Sequence, residues 1–373
     1  MFVRWSNLTV EAEEQTRLPG YRDGAVVRRF DAPEALDIRF YEVHAKSALN
    51  RVPAASAVPF HWTINPYRGC THACRFCFAR PTHRYLDFDA GRDFEREIVV
   101  KVNVPEVLRV ELRRPSWRFE HVAMGTNTDP YQWVEGRYRL MPGIWEALRD
   151  ARNPCSVLTK SPLVLRDLEL LREVAAVTEV SANFSVPTLD EKAWRASEPH
   201  TPHPRARLEA IGELNRAGIP CGVLVAPLMP GINDAPGQVE RILEMAAEQG
   251  ATGVSGIALH LRGEVRGVFM QWLRSYRPDL VDRYEQLYAR GAYAPKAERE
   301  RLMRLVRHGA VSPLPSPTRD HRGARRTEAA HAPARIATRS HRMPDRTSQV
   351  PGRRGTEPGG AGPPGGPIQE ALF

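Results

Sequence analysis

Three of the chain's five cysteines, Cys70, Cys74 and Cys77, fall within eight residues, spaced C-x3-C-x2-C inside the run NPYRGCTHACRFCF that ends at Phe78. Thiolates this close in sequence can face one centre without help from distant chain, so the run reads first as a metal site. A structural zinc takes four closed ligands, and the only nearby fourth candidate, His72, lies inside the loop at none of the usual finger spacings. A four-iron cluster normally takes four cysteines, so three leave one iron without a protein ligand. Such an iron can be chelated by the amino and carboxylate groups of a small molecule and pass one electron into it. An iron-sulfur electron carrier would need a further cysteine nearby, and none is present.

The elements that must position this loop follow from hydrophobic patterning. A strand over 62–65 runs directly into the cysteines. Further strand-length apolar runs fall at 121–126, 155–159, 177–185, 221–226 and 253–259, separated by helical stretches at 141–151, 163–175, 204–217 and 236–249. A β-rich segment at 97–102 and a helix over 105–114 come between the first two strands. Six strands in alternation with helices call for a parallel sheet, because each crossover must return the chain to the same end. The fold class is therefore α/β, expected as a partial (β/α)6 TIM-like barrel, with a doubly wound flat sheet as the alternative. Residues 1–58 read as a lead-in packed outside the barrel, with an amphipathic stretch over 41–52. Residues 59–275 form the core, 276–310 a helical extension closing one side, and 311–373 a tail.

The chain has 373 residues, 42% of them hydrophobic, and a formal net charge of +9. About half of that excess lies from Val311 onward, where ten Arg stand against five acidic residues among ten Pro and eight Gly. Such a segment builds no core and is expected to be disordered. Its arginines offer a surface for nucleic acid or simply keep the protein soluble. No apolar run approaches a membrane span and no signal-peptide pattern opens the chain. A cytoplasmic protein without membrane attachment is expected, and clustered cysteines fit a reducing compartment.

In parallel β/α folds the working groups stand after the carboxyl ends of strands. The exits here are polar. Gly125-Thr126-Asn127-Thr128-Asp129-Pro130-Tyr131-Gln132 follows the second strand, Thr159-Lys160 ends the third, Ser185 the fourth, and His260 and Arg262 follow the sixth. Any one of these residues is equally well a turn former, as Asp129 before Pro130 would be. Their convergence on the mouth that holds the cysteines favours a site. Tyr67, Tyr85, Tyr131 and His260 are candidates to line its substrate end, or to pack.

The cysteine spacing with Phe76 just before the third cysteine resembles the signature of the radical SAM superfamily, and over about 60–273 the chain is similar to its branch that includes spore photoproduct lyase, more closely still to actinobacterial relatives carrying NPYRGCTHACRFCFARPTH and GTNTDPYQ. The resemblance implies a [4Fe-4S] cluster on Cys70, Cys74 and Cys77, with S-adenosyl-L-methionine on the remaining iron. It implies adenine packing by Phe76 and the backbone near Phe78, methionyl amino contacts by Thr126 and Asp129, and a carboxylate contact by Lys160. Ser185 matches a ribose-contacting position, and Glu198 and Arg207 match the pattern after the fourth strand. The implied activity is reductive cleavage of S-adenosylmethionine to a 5′-deoxyadenosyl radical that abstracts hydrogen from a substrate, with an external electron donor of flavodoxin or ferredoxin type. Spore photoproduct lyase returns that hydrogen through a further cysteine near its C-terminus, and this chain has none after Cys221. Lesion reversal by that route is not expected. Cys155 and Cys221 begin their strands and read as small core residues. A nucleic-acid-binding protein with a structural metal is the rival class.

Overall fold

The computed structural model describes residues 10–309 except 22, 33, 34, 36, 54, 55 and 57, so the expected tail over 311–373 lies outside the described residues. The lead-in holds β1 (Val10–Thr16), β2 (Ala25–Phe30), β3 (Arg39–Val43) and β4 (Leu49–Arg51). Then come β5 (Trp62–Ile64), β6 (Tyr67–Arg68), β7 (Glu97–Lys101), β8 (Val122–Met124), β9 (Cys155–Thr159), β10 (Val180–Ser185), β11 (Cys221–Leu228) and β12 (Val254–Ala258). The helices are α1 (Arg92–Arg96), α2 (Val104–Leu112), α3 (Glu135–Tyr138), α4 (Leu140–Asp150), α5 (Leu168–Val177), α6 (Glu191–Ser197), α7 (Pro204–Arg216), α8 (Pro236–Glu248), α9 (Val265–Tyr276), α10 (Val281–Leu287) and α11 (Lys296–Gly309).

Six strands, β5-β8-β9-β10-β11-β12, pair in parallel in chain order. β12 and β4 are the two ends of this sheet, β4 pairing antiparallel with β5, in keeping with the partial (β/α)6 barrel expected. Period-two alternation sorts the side chains. Met124, Val157, Ala182, Phe184, Val223 and Val225 join Ile144, Trp145, Leu171, Leu208, Ile211 and Ile242 in one helix-covered core. Cys155 and Cys221 belong to that same core, at the first positions of their strands. On the opposite face Ser156, Leu158, Asn183, Leu224 and Ala226 are only half-buried. A closed barrel would fill that face with packed side chains; a partial one leaves it accessible to solvent. Helix α11 covers the outer side of β12 at close range, where a Cβ on Gly256 would stand 2.8 Å from Val306 Cγ2.

The structure corrects several expectations. The stretch over 41–52 is no amphipathic unit: it ends β3 and contains β4. Nor is the lead-in merely external packing. A second sheet, ordered β1-β2-β3-β7-β6, places β3 parallel to β7, and β7 antiparallel to β6, the two residues that lead into the cysteine loop. The strand expected over 177–185 begins at Val180, because Val177 still belongs to α5. The strand expected over 121–126 stops at Met124, because Gly125 turns away at φ 79°. No helix among the described residues is long and apolar enough to cross a membrane.

Just past the end of β8, Gly125 runs against β9, and a Cβ there would overlap the Leu158 carbonyl oxygen. Gly125→Ala therefore combines a left-handed backbone with a collision against main chain, and should cost about 2 kcal/mol or more. Urea unfolding checks this, and an unchanged midpoint would contradict the packing described.

Candidate active site

The β6 strand delivers the chain to Gly69, which turns at φ 78°; a Cβ there would meet His83 and Phe94 at 3.0 Å. The Cys70 amide then donates to Phe94 O at 2.9 Å. Two tight turns follow, Ala73 N–H to Cys70 O at 3.2 Å and Cys77 N–H to Cys74 O at 3.3 Å. The Arg75 amide donates to Ser197 O at 2.9 Å and ties the loop to the end of α6. None of the cysteines is bridged. Cys77 packs both against the cluster containing Cys70 and Phe94 and against the one containing Cys74 and Phe76, so the three thiols share one neighbourhood. Burial pushes all three thiols above their ordinary range. Three unbridged thiols in one neighbourhood, Cys70 and Cys74 buried and Cys77 half-buried, suit the donor set of an iron-sulfur centre.

Two side chains that the sequence did not single out hold this loop. Gln132 accepts from Thr71 N–H at 2.9 Å and donates to Gly69 O at 3.1 Å. Arg80, fully buried, donates to the carbonyls of Ala73 and Cys74 from one side and of Ala90 and Gly91 from the other. The signal for Gln132 was its place in a polar strand exit; for Arg80 it was a charge among apolar residues just after the third cysteine.

The strand exits form a second, contiguous layer. Asp129 does cap its own turn, accepting from Tyr131 N–H at 2.9 Å. It also accepts from Thr159 Oγ1 and from the Lys160 amide, each at 2.7 Å, with His72 Nδ1 3.5 Å away. Burial pushes the His72 imidazole down to about 4 despite that carboxylate, so it is neutral at pH 7. Lys160 Nζ donates to Ser185 Oγ at 2.6 Å, pairs with Glu198 at 2.7 Å and lies 5.7 Å from the centre of the Phe76 ring. Glu198 is fully buried and also meets Arg207 at 2.9 Å. Burial opposes its charge, but Arg207 and Lys160 outweigh it and hold the carboxyl below the usual carboxylate range. Arg207 in turn donates to Ser185 O at 2.9 Å and Pro202 O at 2.9 Å.

The structure thus brings together Phe76, Asp129, Lys160, Ser185, Glu198 and Arg207. Thr126 stands half-buried at the start of its loop, outside this hydrogen-bonded set. The Phe78 ring stands 6.0 Å from that of His260. Tyr67 and Tyr131 do not line a substrate end: both are fully buried, bonded to Glu135 and Asp167. Tyr85 is 52% exposed.

Comparison with known proteins places the chain in a family. The profile of the radical SAM superfamily matches residues 64–246. An uncharacterised protein of Mycobacterium tuberculosis is 49% identical over 339 residues, covering 89% of this chain and 98% of that one. Among solved structures, spore photoproduct lyase complexed with dinucleoside spore photoproduct is similar with a TM-score of 0.54 at 16% identity, over 72% of this chain and 78% of that one. A variant of that lyase with bound AdoMet and the same dinucleoside gives a TM-score of 0.52 at 16% identity, over 72% and 77%. At such identities the structural likeness speaks for the fold, a parallel α/β sheet flanked by helices. By the cysteine motif, the matched profile and the relative along nearly its whole length, the chain belongs to the radical SAM superfamily.

Proposed function

We propose that this chain is a radical SAM enzyme in which Cys70, Cys74 and Cys77 hold a [4Fe-4S] cluster and the strand exits beside them hold S-adenosylmethionine. The observation that carries the reading is the position of Lys160. One ammonium touches the aromatic residue of the cysteine motif, Ser185 at the end of β10 and Glu198 at the end of α6. That one side chain links the cysteine loop to the strand exits supports reading them as one site. When bound, the cluster and S-adenosylmethionine supply one-electron cleavage of the S–C5′ bond and a 5′-deoxyadenosyl radical able to take hydrogen from a substrate.

The chain's own groups bind, orient and exclude water. An ammonium has three hydrogens; two of those on Lys160 go to Ser185 and Glu198, leaving one for the carboxylate of the methionyl end. Thr126 offers a hydroxyl to the methionyl amino group. The donors already filling Asp129 make it the brace that fixes the β9 exit. Arg207 fixes the β10 exit through Ser185 O, and Phe76 with the backbone near Phe78 packs against adenine. The half-buried face bearing Ser156, Asn183 and Leu224 admits the substrate. The electron comes from an external carrier of flavodoxin or ferredoxin type.

Replacing any one of Cys70, Cys74 or Cys77 by Ala should abolish bound iron above background after anaerobic reconstitution, from about four per chain. Cys155→Ala and Cys221→Ala should retain it, since both lie in the apolar core. Iron loss in the core variants equal to that in the motif variants would remove the assignment.

Lys160→Ala should spare the iron but weaken S-adenosylmethionine binding. A charge-assisted hydrogen bond in a dry pocket contributes about 1.5 to 3 kcal/mol, which is about tenfold or more in affinity. Equilibrium dialysis measures this, and an unaltered Kd would take Lys160 out of the site.

A further inference from the structure

We infer that Arg80 is a positioning residue that sets the reduction potential of the centre held by Cys70, Cys74 and Cys77, by fixing a fully buried positive charge against the loop that carries them. The inference rests on the cluster reading above. All five N–H groups of this guanidinium are spent inside the protein. Nε donates to Cys74 O at 3.1 Å, and Nη2 to the same oxygen at 2.9 Å and to Ala73 O at 3.3 Å. Nη1 donates to Ala90 O at 3.1 Å and Gly91 O at 2.8 Å. Cζ of the group lies over Phe94, 5.2 Å from the ring centre, and Phe94 is the residue whose carbonyl receives the Cys70 amide.

Carbonyls orient a cation without cancelling its charge. The one counter-charge in contact with Arg80 among the described residues is Glu95. Glu95 is shared, for Arg75 reaches it from the surface at 3.1 Å. Two cations against one carboxylate leave the group with a net charge of +1, and the Arg80 side chain, unlike that of Arg75, is wholly out of water and barely screened. A guanidinium does not lose its proton in a protein, so this field is constant across the working pH range. Taking up one electron from an external one-electron reductant makes the centre more negative by one unit. A fixed cation against the loop stabilises that reduced form, and net charge nearby is one of the levers that set such potentials.

The test is an anaerobic potentiometric titration of the reconstituted full chain with dithionite and mediator dyes, read by EPR of the reduced centre without S-adenosylmethionine. Arg80→Gln should lower the midpoint by at least about 59 mV, a tenfold shift of a one-electron equilibrium. Arg80→Lys, which keeps the charge and loses the fork, should fall between that variant and the unsubstituted chain. Glu95→Gln should move the midpoint upward, because it removes the counter-charge while the carbonyl bonds of Arg80 stay. If Arg80→Gln fails to hold a centre, Glu95→Gln decides by itself. A midpoint that does not rise in Glu95→Gln, or does not fall in an iron-loaded Arg80→Gln, overturns the inference. If the unsubstituted chain forms no iron-sulfur centre, it is the cluster reading that fails.

Discussion

Buried peptide groups must find hydrogen-bond partners, and a loop with no strand or helix of its own must take them from elsewhere. The eight residues from Cys70 to Cys77 are such a loop. Their partners come from every side: Phe94 O from α1, Ser197 O from the end of α6, the amide of Gln132 from the β8 exit and the guanidinium of Arg80 from the helical turn that follows. This requirement explains why the second sheet exists where it does. β7 fixes β6 on one side and Lys101 N–H donates to Pro66 O, so the chain enters the loop along a held path. Each such bond contributes only about 1 kcal/mol, yet leaving one of these groups unpartnered costs about 1 to 3 kcal/mol. The loop geometry is therefore set by the rest of the fold.

The same logic governs the charged layer beneath. Glu198 has no contact with water, and a buried carboxylate stays ionised only with compensation. Lys160 and Arg207 provide it from β9 and α7, and both also reach Ser185. Breaking a buried pair of this kind by removing one partner costs about 3 to 5 kcal/mol. The β9 exit and the β10-α6-α7 segment are thereby locked together beside the cysteines.

Much of this was legible in the sequence for local reasons. Cysteine spacing is a property of eight consecutive residues. The alternation of apolar runs fixed six parallel strands, and 155–159 was read to the residue because Cys-Ser-Val-Leu-Thr is bounded by Pro154 and a lysine. Lys160, Asp129 and Ser185 are reachable because strand exits in such folds share one end, whereas Glu198 at the end of α6 and Arg207 within α7 follow only from the family resemblance. What was not legible depends on distant contacts. Gln132 meets its partners 61 and 63 residues away, and β3 meets β7 across more than fifty. Tyr67 and Tyr131 stand beside the motif residues, and only the buried Glu135 and Asp167 show that they are anchors instead of site walls.

The central claim, that the cysteine loop and the strand exits form one radical-generating pocket, is tested most directly by incubating anaerobically reconstituted protein with S-adenosylmethionine and a strong reductant and measuring the products. The account predicts 5′-deoxyadenosine and methionine in equal amounts, formed only when reductant is present. Protein that binds a full complement of iron yet leaves S-adenosylmethionine intact, or that holds zinc which iron does not displace, would contradict it.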